Sequence, residues 1–138
     1  MYTIDLADYS GRTLYSLFYL PASGQVMASE IFYTFGASSY LYTEIDLTSP
    51  GASYPATFTY HTRTSETVAS LSLPAASLTE ASPLPAFSLE TSGTPEISES
   101  EVREYFRQML LETLSAVQQV MDSYELPITL EHFGFSNL

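Results

Sequence analysis

From Ser98 to Ser123 the chain carries an apolar stripe at helical period behind a complete start signal, and such a helix must find another layer to cover it. Ser98 followed three residues on by Glu101 is the Ser-x-x-Glu capping box, and Ile97 with Val102 matches the hydrophobic staple. The stripe runs through Val102, Tyr105, Phe106, Met109, Leu110, Leu114, Val117, Val120, Met121 and Tyr124. Arg103, Glu104, Gln108, Glu112, Ser115, Gln119 and Asp122 fall on the opposite side. Glu99 and Arg103 make an i,i+4 pair in the favourable order. Pro127 ends the element, so a helix is predicted over 98–123.

The covering layer has to come from residues 1–73, which read as strands. Tyr2, Ile4 and Leu6 alternate with Thr3 and Asp5. Thr13 to Leu20 is apolar on both faces, and Ser10-Gly11 before it fits a hairpin turn. Gln25 to Phe35 is a third strand. Tyr40 to Leu47 alternates most clearly, with Leu41, Thr43, Ile45 and Leu47 on one face and Tyr42, Glu44 and Asp46 on the other. After a break at Ser49-Pro50-Gly51, Thr57 to Arg63 and Val68 to Leu73 complete five or six strands. Turns this short favour an antiparallel meander, because parallel strands need long crossovers.

Residues 74–97 hold Pro74, Pro83, Pro85 and Pro95 among Ser, Ala and Thr, which discourages a helix interior or a central strand. The expectation is a short edge strand pinned by Phe87 and Leu89, with a mobile arm that orders on a partner as the alternative. Ile128 to Phe133, within a C-terminal segment 124–138, is expected to form a last strand. The fold class is α+β: one domain spanning 1–138, an antiparallel sheet with one long helix packed on one face. A chain of 138 residues with 45% hydrophobic residues can fill such a core without metals or disulfides.

Sixteen Asp and Glu face only four basic residues, Arg12, Arg63, Arg103 and Arg107, giving a net charge of −12. That balance opposes direct binding to nucleic-acid phosphates and to anionic membrane surfaces. It attracts a protein partner with a basic surface. The absence of lysine removes Schiff-base and phosphate-loop chemistry, and the absence of cysteine removes thiol nucleophiles and disulfides. No secretory signal and no apolar run of membrane-spanning length is visible, which points to the cytoplasm.

The search for catalytic or metal motifs is negative, and no cofactor is expected. His61 with Glu66, His132 with Glu131, Asp5 with Asp8 and Glu44 with Asp46 are the only pairings of interest, and each is also explained as a solvated or structural group. Serine is too plentiful for any Ser-His-Asp set to be specific. A non-enzymatic interaction protein is therefore expected, in which carboxylates cover a basic, nucleic-acid-binding site of a partner as phage anti-defence inhibitors do. Candidate contacts are Glu44, Asp46, Glu99, Glu101, Glu104 and Glu112, with Tyr40 and Tyr42 as aromatic contributors. Glu96 at the helix start belongs with the same acids.

Tyr105, Phe106 and Arg107 on the helix, followed by Glu125 to Phe135 (ELPITLEHFGF), resemble the C-terminal part of SecB-type export chaperones. The resemblance implies the alternative function: a homo-oligomeric holdase, with Thr13–Leu20 as an oligomer contact. A structural component of a phage particle or secretion assembly is a further alternative.

Overall fold

The computed structural model describes residues 2–34 except 8–12, then 39–48, 51–75 and 83–135. Seven strands follow one another: β1 (Tyr2–Ala7), β2 (Thr13–Leu20), β3 (Gln25–Tyr33), β4 (Tyr40–Asp46), β5 (Ser53–His61), β6 (Ser65–Pro74) and β7 (Ser88–Gly93). Each pairs antiparallel with the next, so spatial order equals chain order. Among the described residues one α-helix, α1 (Glu99–Ser123), lies against one face of this sheet over β2, β3 and β4. The α+β expectation holds.

Period-two alternation explains which side chains meet the helix. Leu17 and Tyr19 of β2, Val26 and Ala28 of β3, Leu41 and Ile45 of β4, and Ala56 and Phe58 of β5 are all buried on the covered face. From α1, Val102, Phe106, Leu110, Leu114 and Val117 are buried against them. Phe58 and Phe106 stack with ring centroids 5.7 Å apart, and Phe87 closes on Phe106 at 6.3 Å. Each such side chain contributes roughly 1.5–3 kcal/mol when fully buried, more than any surface ion pair. Ser98 caps α1 in the predicted capping box: its hydroxyl accepts from the Glu101 amide, and its own amide donates to the Glu101 carboxylate, both at 3.1 Å.

Several expectations need correction. Tyr105 and Tyr124, placed in the buried stripe, are 40% and 59% exposed, because one lies on the helix flank and the other at its C-cap. Ile128–Phe133 is not a strand: Leu130–Phe133 forms a 3-10 turn closed by Gly134 at φ 92°. His132 therefore lies in that turn, where its Nδ1 accepts from the Thr129 amide at 3.1 Å. β5 begins at Ser53 rather than Thr57, and Pro55 is tolerated because pairing with β4 stops at Ala56. β6 begins at Ser65. The proline-rich connection does yield an edge strand, β7, though Phe87 lies just ahead of it and turns to the core. The expected Ser10-Gly11 turn, Phe35, Ser49-Pro50 and Asp8 lie outside the described residues.

Two joints fix the ends of the helical layer. The Glu96 carboxylate accepts from the hydroxyls of Thr62, Thr64 and Ser65, tying the approach to α1 onto the β5–β6 hairpin. Those hydrogen bonds hold the Glu96 carboxyl below its ordinary range. Behind α1, the Tyr54 hydroxyl donates to the Phe133 carbonyl at 2.5 Å, and Phe133 and Phe135 pack on its ring at 6.2 and 5.6 Å.

Candidate functional site

The inward positions of β3 read Val26, Ala28, Glu30 and Phe32, so the pleat that builds the core also drives a carboxyl into it. Glu30 is only 1% exposed. It stands opposite Tyr15 on β2 and Thr43 on β4, and close to Glu112 of α1. Burial first, then the neighbouring Glu112 carboxyl, push the Glu30 carboxyl up to about 9. The Tyr15 phenol is raised as well, by burial first and then by Glu30 and Glu112. Glu112 accepts from Gln108 at 2.9 Å and from the Tyr15 hydroxyl at 3.5 Å. Glu30 Oε1 and the buried Thr113 hydroxyl have no partner among the described residues. Burial thus keeps the Glu30 carboxyl protonated between sheet and helix. Its burial keeps it from any substrate, so its chemistry is proton retention within the core.

The opposite face of the sheet has different character. Its side chains form rows across the strands, set by the pairing register. One row is Tyr33, Tyr40, His61 and Glu66. Tyr33 meets Tyr40 edge-on at 6.5 Å, Tyr40 stacks on His61 at 4.9 Å, and His61 Nδ1 lies 3.1 Å from Glu66 Oε2. The next row is Leu14, Ile31, Tyr42, Thr59, Val68 and Glu90. The third runs through Ser16, Ser29, Glu44, Thr57, Ser70 and Ser88, so Glu44 stands between small hydroxyl residues, and β1 pairs Asp5 with Ser16 at its end. Phe18, Met27 and Asp46 make the fourth. Partial burial, followed by the charge of the neighbouring Glu44, raises the Tyr42 phenol. Leu14, Phe18, Met27 and Ile31 are half-buried and stand apart from the core. α1, the only long helix among the described residues, lies on the other side.

The candidate residues divide accordingly. Tyr40, Tyr42, Glu44 and Asp46 point from β4 to the face away from α1, which no described helix covers, and the structure brings these four together. Glu99, Glu101, Glu104 and Glu112 lie on α1 across the sheet and cannot share a surface with them. Each helix acid also has a local partner: Arg103 lies 3.6 Å from Glu99, Arg107 lies 2.6 Å from Glu104, Glu101 closes the capping box, and Glu112 accepts from Gln108 and Tyr15. No basic residue pairs with Glu44 or Asp46 among the described residues; Asp46 accepts from the Thr48 amide at 2.9 Å. His61 does meet Glu66, but no group of three metal-ligating side chains occurs among the described residues. His132 and Glu131 form no ion pair there.

Sequence reasoning missed Glu30 and Tyr15. The signal was present: Glu30 occupies an inward position in the alternation of β3. No described helix is long and apolar enough to cross a membrane. No family model, curated protein or solved structure matches the chain.

Proposed function

We propose that the protein is a non-enzymatic interaction module that docks a basic partner protein on the open face of its sheet, and so acts as an inhibitor covering a nucleic-acid-binding surface. The observation that carries the reading is the make-up of that face. Tyr40, Tyr42, Glu44 and Asp46 project from a single strand, and no Lys or Arg accompanies them on the described strands of that face. Tyrosine supplies large contact area at low entropic cost, and unpaired carboxylates supply orientation and fast encounter. A cytoplasmic setting belongs to the same reading.

The helix acids are assigned a lesser part, because each is already engaged with its own neighbours. Affinity capture tests the proposal by comparing the wild-type chain with the double variant Tyr42→Ser/Glu44→Gln and with Glu104→Gln. The β4 variant should lose a basic partner that the helix variant retains, and higher salt should weaken the wild-type complex. Capture unaffected by the β4 substitutions would reject the open face as the docking surface.

A homo-oligomer is the second reading, favoured by the apolar side chains of Leu14, Phe18, Met27 and Ile31 on the same face. A solution mass several times that of the 15.3 kDa chain supports it, and a monomer rejects it.

A further inference from the structure

The open face is not uniformly acidic, and its layout narrows what the partner must present. Glu44 stands between Ser29 on β3 and Thr57 on β5. These short neighbours sit on strands about 4.8 Å to either side, so the longer Glu44 side chain stands in a row of smaller ones. Along β4, Tyr42 and Asp46 flank it at the two-residue repeat, roughly 6.7 Å away in each direction. Tyr42 shares this face of β4 with Glu44, so its ring is within reach of a group seated on that carboxylate. A flat cation bordered by an aromatic ring and two carboxylates matches guanidinium, which stacks on aromatic faces and bonds carboxylates through two parallel N–H groups. An ammonium group uses the charge but neither the plane nor the fork.

Resting on the open-face reading, we infer that the partner docks by an arginine side chain seated on Glu44 between Tyr42 and Asp46. Charge complementarity favours this occupant over a second copy of the chain, whose own face would bring Glu44 and Asp46 against like charge in a protein of net charge −12. The hydroxyls of Ser29 and Thr57 accept the guanidinium N–H groups that the carboxylate leaves unused.

The test is titration of isotope-labelled protein with N-acetyl-arginine amide, its lysine counterpart and the uncharged citrulline counterpart, read by amide shifts. Arginine amide should shift Ser29, Tyr42, Glu44 and Thr57, lysine amide should bind roughly two- to fivefold more weakly, and citrulline should give no localised response. Tyr42→Leu should erase the preference for arginine over lysine, while Glu44→Gln should weaken both. Equal response to citrulline, a preference that survives Tyr42→Leu, or shifts confined to α1 would each overturn the arginine seat. If arginine amide fails but Tyr42→Ser/Glu44→Gln still releases the captured partner, only the arginine assignment falls. If those substitutions leave the partner bound, the open-face reading falls with it.

Discussion

The Glu30 carboxyl of β3 is buried at the sheet–helix interface beside Glu112 of α1, in a core that also encloses the hydroxyls of Thr43 and Thr113. A buried carboxyl persists there because it keeps its proton, and that places a pH dependence within the fold.

The Glu30 carboxyl is raised from 4.5 to about 9 in the folded chain, so the native state holds a proton that the unfolded chain releases. The stabilisation it gives is fully present below the unfolded value and is lost as pH rises through the folded one. The slope approaches about 1.4 kcal/mol per pH unit within that window. Urea unfolding at about pH 5 and about pH 8 should show the loss, and Glu30→Gln, which cannot ionise, should flatten it. An equal slope in the variant would place the dependence elsewhere.

Gly93 ends β7 at φ 81°, and a Cβ there would lie 2.0 Å from the Thr64 carbonyl oxygen. Gly93→Ala should cost about 2 kcal/mol or more, from backbone strain and collision together. Gly24, at φ 75°, has open space around it. Gly24→Ala should cost only the strain, roughly 1–2 kcal/mol. Thermal unfolding of the two variants measures the difference.

Tyr54→Phe removes the hydroxyl that donates to the Phe133 carbonyl while sparing the ring contacts with Phe133 and Phe135. The buried carbonyl loses its donor, and the expected cost is about 1–3 kcal/mol. Hydrogen exchange should rise first in residues 130–135, since that hydroxyl ties the turn to β5. Uniform loosening across the sheet would contradict this local role.

Removing the cap by Ser98→Ala should cost about 1 kcal/mol and fray only the first turn of α1. Circular dichroism with denaturant melts checks the magnitude. The Glu101 carboxyl, held low chiefly by the Ser98 amide, should change little in Ser98→Ala because that donor remains.

The sequence made local features legible and left packing-dependent ones hidden. α1 could be read because its cap, stripe and stop are local signals, and β4 because its alternation is complete. β7 was legible as an edge strand but not in its bounds: Ser88–Gly93 is exposed, and its limits are set by pairing with β6. The segment from Ile128 to Phe133 is too short for its apolar residues to distinguish strand from turn, and the φ of Gly134 decides it. For the candidate site, period two placed Tyr40, Tyr42, Glu44 and Asp46 together. It did not show that α1 covers the other face, which separates them from Glu99, Glu101, Glu104 and Glu112. The row around Glu44 depends on the register of six strands, which only the folded pairing supplies.

Side-chain resonance mapping of the protein with its captured partner tests the central claim most directly. The account predicts that Tyr40, Tyr42, Met27 and Ile31 on the open face shift or broaden on binding while Tyr105 and the exposed side of α1 stay unchanged. Perturbation confined to Tyr105 and the acids of α1, with the β4 tyrosines unmoved, would contradict it.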